Sequence, residues 1–99
     1  MLKCLALDGI FRALSDPTRR FILEGLCDGE SSVGEIAEPF ALELSTILWH
    51  LKVLEQSSLI RTEKYGQVRR CRIDPTGLRL LDEWVTQQRK AWDPRVQRL

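Results

Sequence analysis

The sequence predicts a fold that is mainly α with a small β-hairpin, an α+β chain in the order α-α-α-α-β-β-α. Three observations carry that reading. Apolar residues recur at helical spacing in Leu7/Ile10/Phe11/Leu14 and in Ile47/Leu51/Leu54. Between residues 59 and 73 the pattern changes to period two on either side of Tyr65-Gly66-Gln67. Pro17 and Pro75 stand where helices open, because proline is pre-organised for a first helical position.

The first helix is expected over Lys3 to Leu14, with Leu2, Leu5 and Ala6 adding apolar surface beyond its main stripe. Ser15-Asp16-Pro17 stops it and starts the second, with Asp16 able to accept an amide hydrogen bond as N-cap. The second helix carries Phe21, Ile22, Leu23 and Leu26 and should end near Asp28-Gly29, where glycine tolerates a left-handed cap. Ser32-Val33-Gly34-Glu35 reads as a capping box opening a third helix, with Ile36, Ala37 and Phe40 facing inward. Pro39 limits that helix to about two turns.

The fourth helix is expected from Leu44 to Ser57, its core stripe being Ile47, Leu51 and Leu54. Two strands follow, Leu59 to Lys64 and Val68 to Ile73. Period two puts Cys71 and Ile73 on one face and Arg70 and Arg72 on the other. The last helix should run from Pro75 to about Trp92. It shows two apolar stripes, Leu78/Leu81/Val85/Trp92 and Leu80/Trp84/Ala91. A helix wetted on one side needs one stripe; two imply packing on its own domain and on a second subunit.

Two helices joined by a tight turn, then a charged β-ribbon, is the arrangement of a winged helix-turn-helix. It sets one helix in a DNA major groove and a basic loop on the flanking backbone. A chain of 99 residues is the size of one domain, so residues 1–99 are expected to form a single winged-helix DNA-binding domain. The net charge of +1 argues against a nucleic-acid binder, but its distribution argues for one. Residues 1–50 hold four Lys/Arg against eight Asp/Glu, and residues 51–99 hold eleven against six. The basic excess lies in the hairpin and last helix, and phosphate contact needs a basic patch more than a basic total. A solvated charged hairpin is the plainer alternative.

No apolar run reaches membrane-spanning length. The opening Met1-Leu2-Lys3-Cys4-Leu5-Ala6-Leu7-Asp8 is too short and too soon acidic for a signal peptide, which makes the cytoplasm the expected location. Three cysteines without CxxC spacing do not suggest a disulfide framework. No Ser/His/Asp set and no phosphate loop supports catalysis.

Four motifs in order carry a family resemblance. They are Phe11-Arg12-Ala13-Leu14-Ser15-Asp16-Pro17-Thr18-Arg19-Arg20 with Ile22-Leu23, then Ser32-Val33-Gly34-Glu35-Ile36-Ala37, then His50-Leu51-Lys52-Val53-Leu54-Glu55. The last pairs Gly66-x-Val68-Arg69 with Trp84-x-x-x-x-Arg89-x-x-Trp92. Over about residues 7 to 92 the chain resembles the ArsR/SmtB-type repressors, in the branch of short regulators without a metal site. The resemblance implies a homodimer built from the first and last helices, placing Leu5, Ile10, Leu80, Trp84, Ala91 and Trp92 at the interface. It implies a transcriptional repressor whose two recognition helices enter successive major grooves of an inverted-repeat operator, with wings reaching adjacent backbone or minor groove.

On that reading the DNA-contacting residues are Ser45, Thr46, Leu48, Trp49, His50 and Lys52 on the helix, and Lys64, Arg69 and Arg70 on the wing. Ser45 and Thr46 can reach phosphates or base edges, or simply cap the helix. Leu48 and Trp49 lie off the core stripe and should be partly exposed. They can touch thymine methyls, pack against the wing, or mark a diverged DNA surface. His50 is a phosphate-facing or turn-packing residue. Lys52 and Gln56 are backbone contacts or solvated surface. Two or three of Arg61, Lys64, Arg69 and Arg70 should touch DNA. Tyr65 at the tip stacks, hydrogen-bonds or serves the turn.

Glu43 departs from the family pattern, in which the cap site often holds Ser. The family's metal sensors carry a Cys-x-Cys near Val33 to Glu38, or His and acidic pairs on the last helix. Neither is present, so no metal and no cofactor is expected. Two alternatives remain open. One is a protein-interaction module docking on Leu48 and Trp49. The other is a thiol-switched repressor, with Cys4 its reactive thiol. The inducing signal is either a small molecule near Trp84 and Trp92 or protein dosage alone.

Overall fold

The structure, a computed structural model, describes residues 2–93 and 95; residues 1, 94 and 96–99 of the expected domain and the side chains of Leu2 and Lys3 lie outside them. Its elements are α1 (Leu2–Leu14), α2 (Pro17–Leu26), β1 (Ser31–Ser32), α3 (Val33–Ala37), α4 (Leu44–Gln56), β2 (Ile60–Tyr65), β3 (Val68–Ile73) and α5 (Pro75–Ala91). The mainly α architecture with its basic hairpin is the one expected. The addition is β1, which pairs with β3 (Ser31 opposite Cys71, Ser32 opposite Arg70) and makes a three-stranded antiparallel sheet in the order β1-β3-β2.

Local chemistry sets the element ends. The Asp16 carboxylate accepts from the Arg19 amide at 3.0 Å, and Pro17 occupies the first turn of α2. The helix closes at Leu26, two residues short of the expected Asp28. The capping box of α3 is complete: the Ser32 hydroxyl accepts from the Glu35 amide at 3.1 Å, and Glu35 accepts from the Ser32 amide at 2.9 Å. The Asp74 side chain accepts from the Thr76 amide at 3.0 Å and starts α5.

α4 ends in a Schellman turn. The Leu59 amide reaches the Leu54 carbonyl at 3.0 Å, the Ser58 amide reaches Glu55 at 3.0 Å, and Ser58 takes a φ of 60°. The Ser58 carbonyl then accepts from the Gly77 amide at 2.8 Å. A Cβ on Gly77 would stand 2.7 Å from that same oxygen, so only glycine lets α5 start this close to the end of α4.

The core is formed by Ile10, Ala13, Ile22, Leu23, Leu26, Ile36, Ile47, Leu51, Leu54, Leu59, Ile60 and Cys71. The expected stripe of α4 is therefore its buried face. That of α1 needs correction. Ile10, expected at a subunit interface, is 1% exposed and already enclosed by its own chain. Phe11 is 44% exposed and meets Trp84 of α5 edge-on, with ring centroids 5.5 Å apart. α5 packs Leu78, Leu80 and Leu81 on the core and leaves Trp84, Val85 and Trp92 exposed. Among the described residues no helix is long and apolar enough to cross a membrane.

Candidate nucleic-acid interface

The outward face of α4 and the hairpin β2–β3 lie side by side. Glu43 holds the N-cap position of α4, but its side chain makes no capping hydrogen bond; its carbonyl accepts from the Thr46 and Ile47 amides instead. In the first turn Ser45 is exposed and Thr46 half-buried. Leu48 and Trp49 are 41% and 57% exposed, and Lys52 is exposed beyond them.

His50 does not face outward, which corrects its placement among the DNA contacts. It is 7% exposed, and its Nδ1 lies 3.1 Å from Nη1 of Arg19. Since a guanidinium can only donate, His50 accepts through Nδ1 in this arrangement. Arg19 is itself 6% exposed. Its Nε donates to the Ala13 carbonyl at 2.7 Å and its Nη2 to the Arg12 carbonyl at 3.1 Å. The same guanidinium sits 5.4 Å from the centroid of the Trp49 ring, a cation–π contact. One buried arginine thus locks α4 to the end of α1 and steadies the exposed tryptophan.

Sequence reasoning passed over Arg19, although a signal was present. Arg19, Ile22, Leu23 and Leu26 stand at i, i+3, i+4 and i+7, as do Ile47, His50, Leu51 and Leu54. Each apolar stripe carries one polar residue, and the two are each other's partner.

The wing sorts its cations. Arg70 is held by Glu30 at 2.7 Å, which raises its pKa further and ties β3 to the loop before β1. The contact engages its Nε alone, so its expected role as a DNA contact would fall to the two Nη groups. Arg61 pairs with Asp74 at 3.3 Å, and Arg72 with Glu63 at 2.9 Å. The Tyr65 hydroxyl donates to Glu63 at 2.8 Å, which raises its pKa. Lys64 and Arg69 remain. They face each other across the strands, and among the described residues neither has a carboxylate partner. Like charges placed directly opposite are unfavourable in a ladder, so this pair marks a place where the fold tolerates repulsion.

The tip is a tight turn in which Gly66 takes a φ of 62°. The wing is also bound to α4, since Glu55 Oε2 accepts from the Thr62 hydroxyl at 2.8 Å and the Thr62 amide at 3.2 Å.

Cys4 and Cys27 are exposed, whereas Cys71 is fully buried, and that burial, with Glu55 nearby, pushes its thiol up to about 11. Among the described residues no three or more His, Cys, Asp or Glu side chains gather where they could hold a metal ion.

Comparison with known proteins places this geometry. A family model described as a helix-turn-helix domain matches residues 14–63. The chain is 41% identical over 61 residues to the transcriptional repressor SdpR of Bacillus subtilis (strain 168), covering 62% of this chain and 68% of that one. It is 39% identical over 74 residues to the HTH-type transcriptional regulator Rv2034 of Mycobacterium tuberculosis, covering 75% and 69%. The crystal structure of an ArsR family transcriptional regulator superposes with a TM-score of 0.85 at 40% identity, over 90% of this chain and 92% of that one.

Proposed function

Since the chain belongs to the ArsR-type winged helix-turn-helix transcriptional regulators, we propose that it is a homodimeric repressor of an inverted-repeat operator. In this reading α4 enters the major groove and the wing lies on the flanking backbone. The observation that carries it is the Lys64–Arg69 pair. Two cations held opposite each other without carboxylates, beside the exposed face of α4, are a site waiting for phosphate. Ser45, Thr46 and Lys52 supply further contacts from the helix. Leu5, Leu80, Trp84, Ala91 and Trp92 form the subunit interface, and the twofold axis sets two copies of α4 about one helical turn of DNA apart, ~34 Å.

The test is a fluorescence-anisotropy titration against a fragment of the protein's own promoter at several salt concentrations. Tight binding that falls steeply with salt, and is lost when the inverted repeat is scrambled, is expected. Weak binding indifferent to sequence would overturn the reading.

A second reading, a winged-helix protein-interaction module, is favoured by the exposed Leu48 and Trp49 and by the carboxylate of Glu43 at the start of α4. Trp49→Ala separates the two. Loss of a protein partner with DNA binding retained would favour the second.

A further inference from the structure

The face that α4 leaves free has an unusual chemistry for reading bases. Ile47, Leu51 and Leu54 are in the core, His50 is engaged by Arg19, and Glu55 is tied to Thr62. What remains outward over the first turns is Leu44, Ser45, Leu48, Trp49 and Lys52. Arg or Lys pairs with guanine and Asn or Gln with adenine in the major groove. On α4 before Gln56, its last residue, Lys52 is the one such side chain, and it stands past the first two turns.

The exposed apolar residues divide into two groups. Trp49 lies against the Arg19 guanidinium. Leu48 is on the wing side, between two open clefts. The first, of about 630 Å³, is lined by Val33, Leu44 and Val68 together with Arg69. The second, of about 350 Å³, is lined by Lys52, Thr62 and again Arg69, with Glu55, whose carboxylate is engaged by Thr62. Leu48 is therefore an apolar surface framed by Lys52 and Arg69, cations without a carboxylate partner among the described residues, with Leu44 (58% exposed) and Val68 (47% exposed) beside it.

That frame selects its occupant. Such cations on both sides call for a polyanion, and the apolar group a major groove offers is the thymine 5-methyl. We infer that Leu48, backed by Leu44 and Val68, sets sequence preference by packing on thymine methyl groups, while Trp49 positions the helix without choosing the base. The inference rests on the DNA-binding reading above and supplies its specificity.

The probe is a DNA fragment that the full chain enriches from a random-sequence pool. Each thymine is then replaced in turn by deoxyuridine, which deletes the methyl and nothing else. Affinity is expected to fall about fourfold for each methyl that Leu48 covers, the worth of one buried methyl group. Leu48→Ala should bind the thymine and deoxyuridine forms equally. Trp49→Ala should weaken both forms by the same factor and keep the difference between them. Because Leu48 and Trp49 are exposed, both variants should keep the parent's circular dichroism. Equal binding of the two forms by the parent protein would overturn the inference while leaving DNA binding intact. Failure to enrich any sequence would overturn the DNA-binding reading itself.

Discussion

Arg19 donates to two carbonyls at the end of α1 and to His50 of α4 while almost wholly buried. A buried charge keeps its place only when its donors are matched, and removing it orphans the acceptors. Arg19→Ala should therefore destabilise the protein by about 3 kcal/mol, measurable by chemical denaturation. An unchanged midpoint would mean that the three bonds contribute nothing net.

Asp74 works through its charge as well. The hydrogen bond from the Thr76 amide comes first, and burial opposes it, but with the Arg61 contact the carboxyl is held below its usual value. A depressed carboxyl stabilises the fold above its unfolded pKa, and that contribution is lost as pH falls through the folded one. Asp74→Ala should cost about 1 kcal/mol at neutral pH, the worth of an N-cap. The gap to the parent should close as pH drops below about 4; denaturation curves at neutral and acid pH read both. The positions of Arg19 and His50 were legible as polar residues on apolar stripes. Their pairing was not, because it depends on how α2 and α4 meet in space.

The capped helix starts were readable because caps are local chemistry. The Ser32–Glu35 box and the Asp16 cap depend only on residues three apart. The strand β1 was unreadable because two serines carry no period, and only the edge of β3 makes them a strand. The wing was recognisable as a hairpin, but which cations it leaves free was not. That is decided by Glu30, forty residues from Arg70 in sequence, and by Asp74 beside Arg61. The double substitution of Lys64 and Arg69 to Gln should lower the slope of log affinity against log salt by about two. The melting temperature should hold or rise, since a repulsive pair is relieved. A slope that stays the same would place both side chains off the DNA.

The chain is extended for its length: its radius of gyration is 16.3 Å, where a compact domain of this size has about 13 Å. Leu5 of α1 is 67% exposed and Trp92 beside the end of α5 is 74% exposed. Apolar groups left so open on the first and last helices are the surface that the proposed second copy would cover. Leu5→Glu, outside the chain's own core, should therefore keep the fold. It should give monomers in sedimentation and weaken binding to the full inverted repeat at least tenfold, about 1.4 kcal/mol or more. A dimer that survives the substitution would move the interface away from α1.

The joint between Ser58 and Gly77 bears on how such a molecule receives a signal. In the proposed reading one helix carries the surface offered to DNA and the other a surface offered to a twin, and Gly77 of the second lies against the Ser57 and Ser58 carbonyls at the end of the first with no room for a side chain. A joint that tight behaves as a fulcrum. If a wedge turns the twins against each other, the motion arrives at the far surface as a rigid swing of the reading helices and a change in their spacing. In that reading an inducer would have no need to touch the reading surface, or to melt anything. It would have only to spoil the spacing between two heads that must fit the DNA at once.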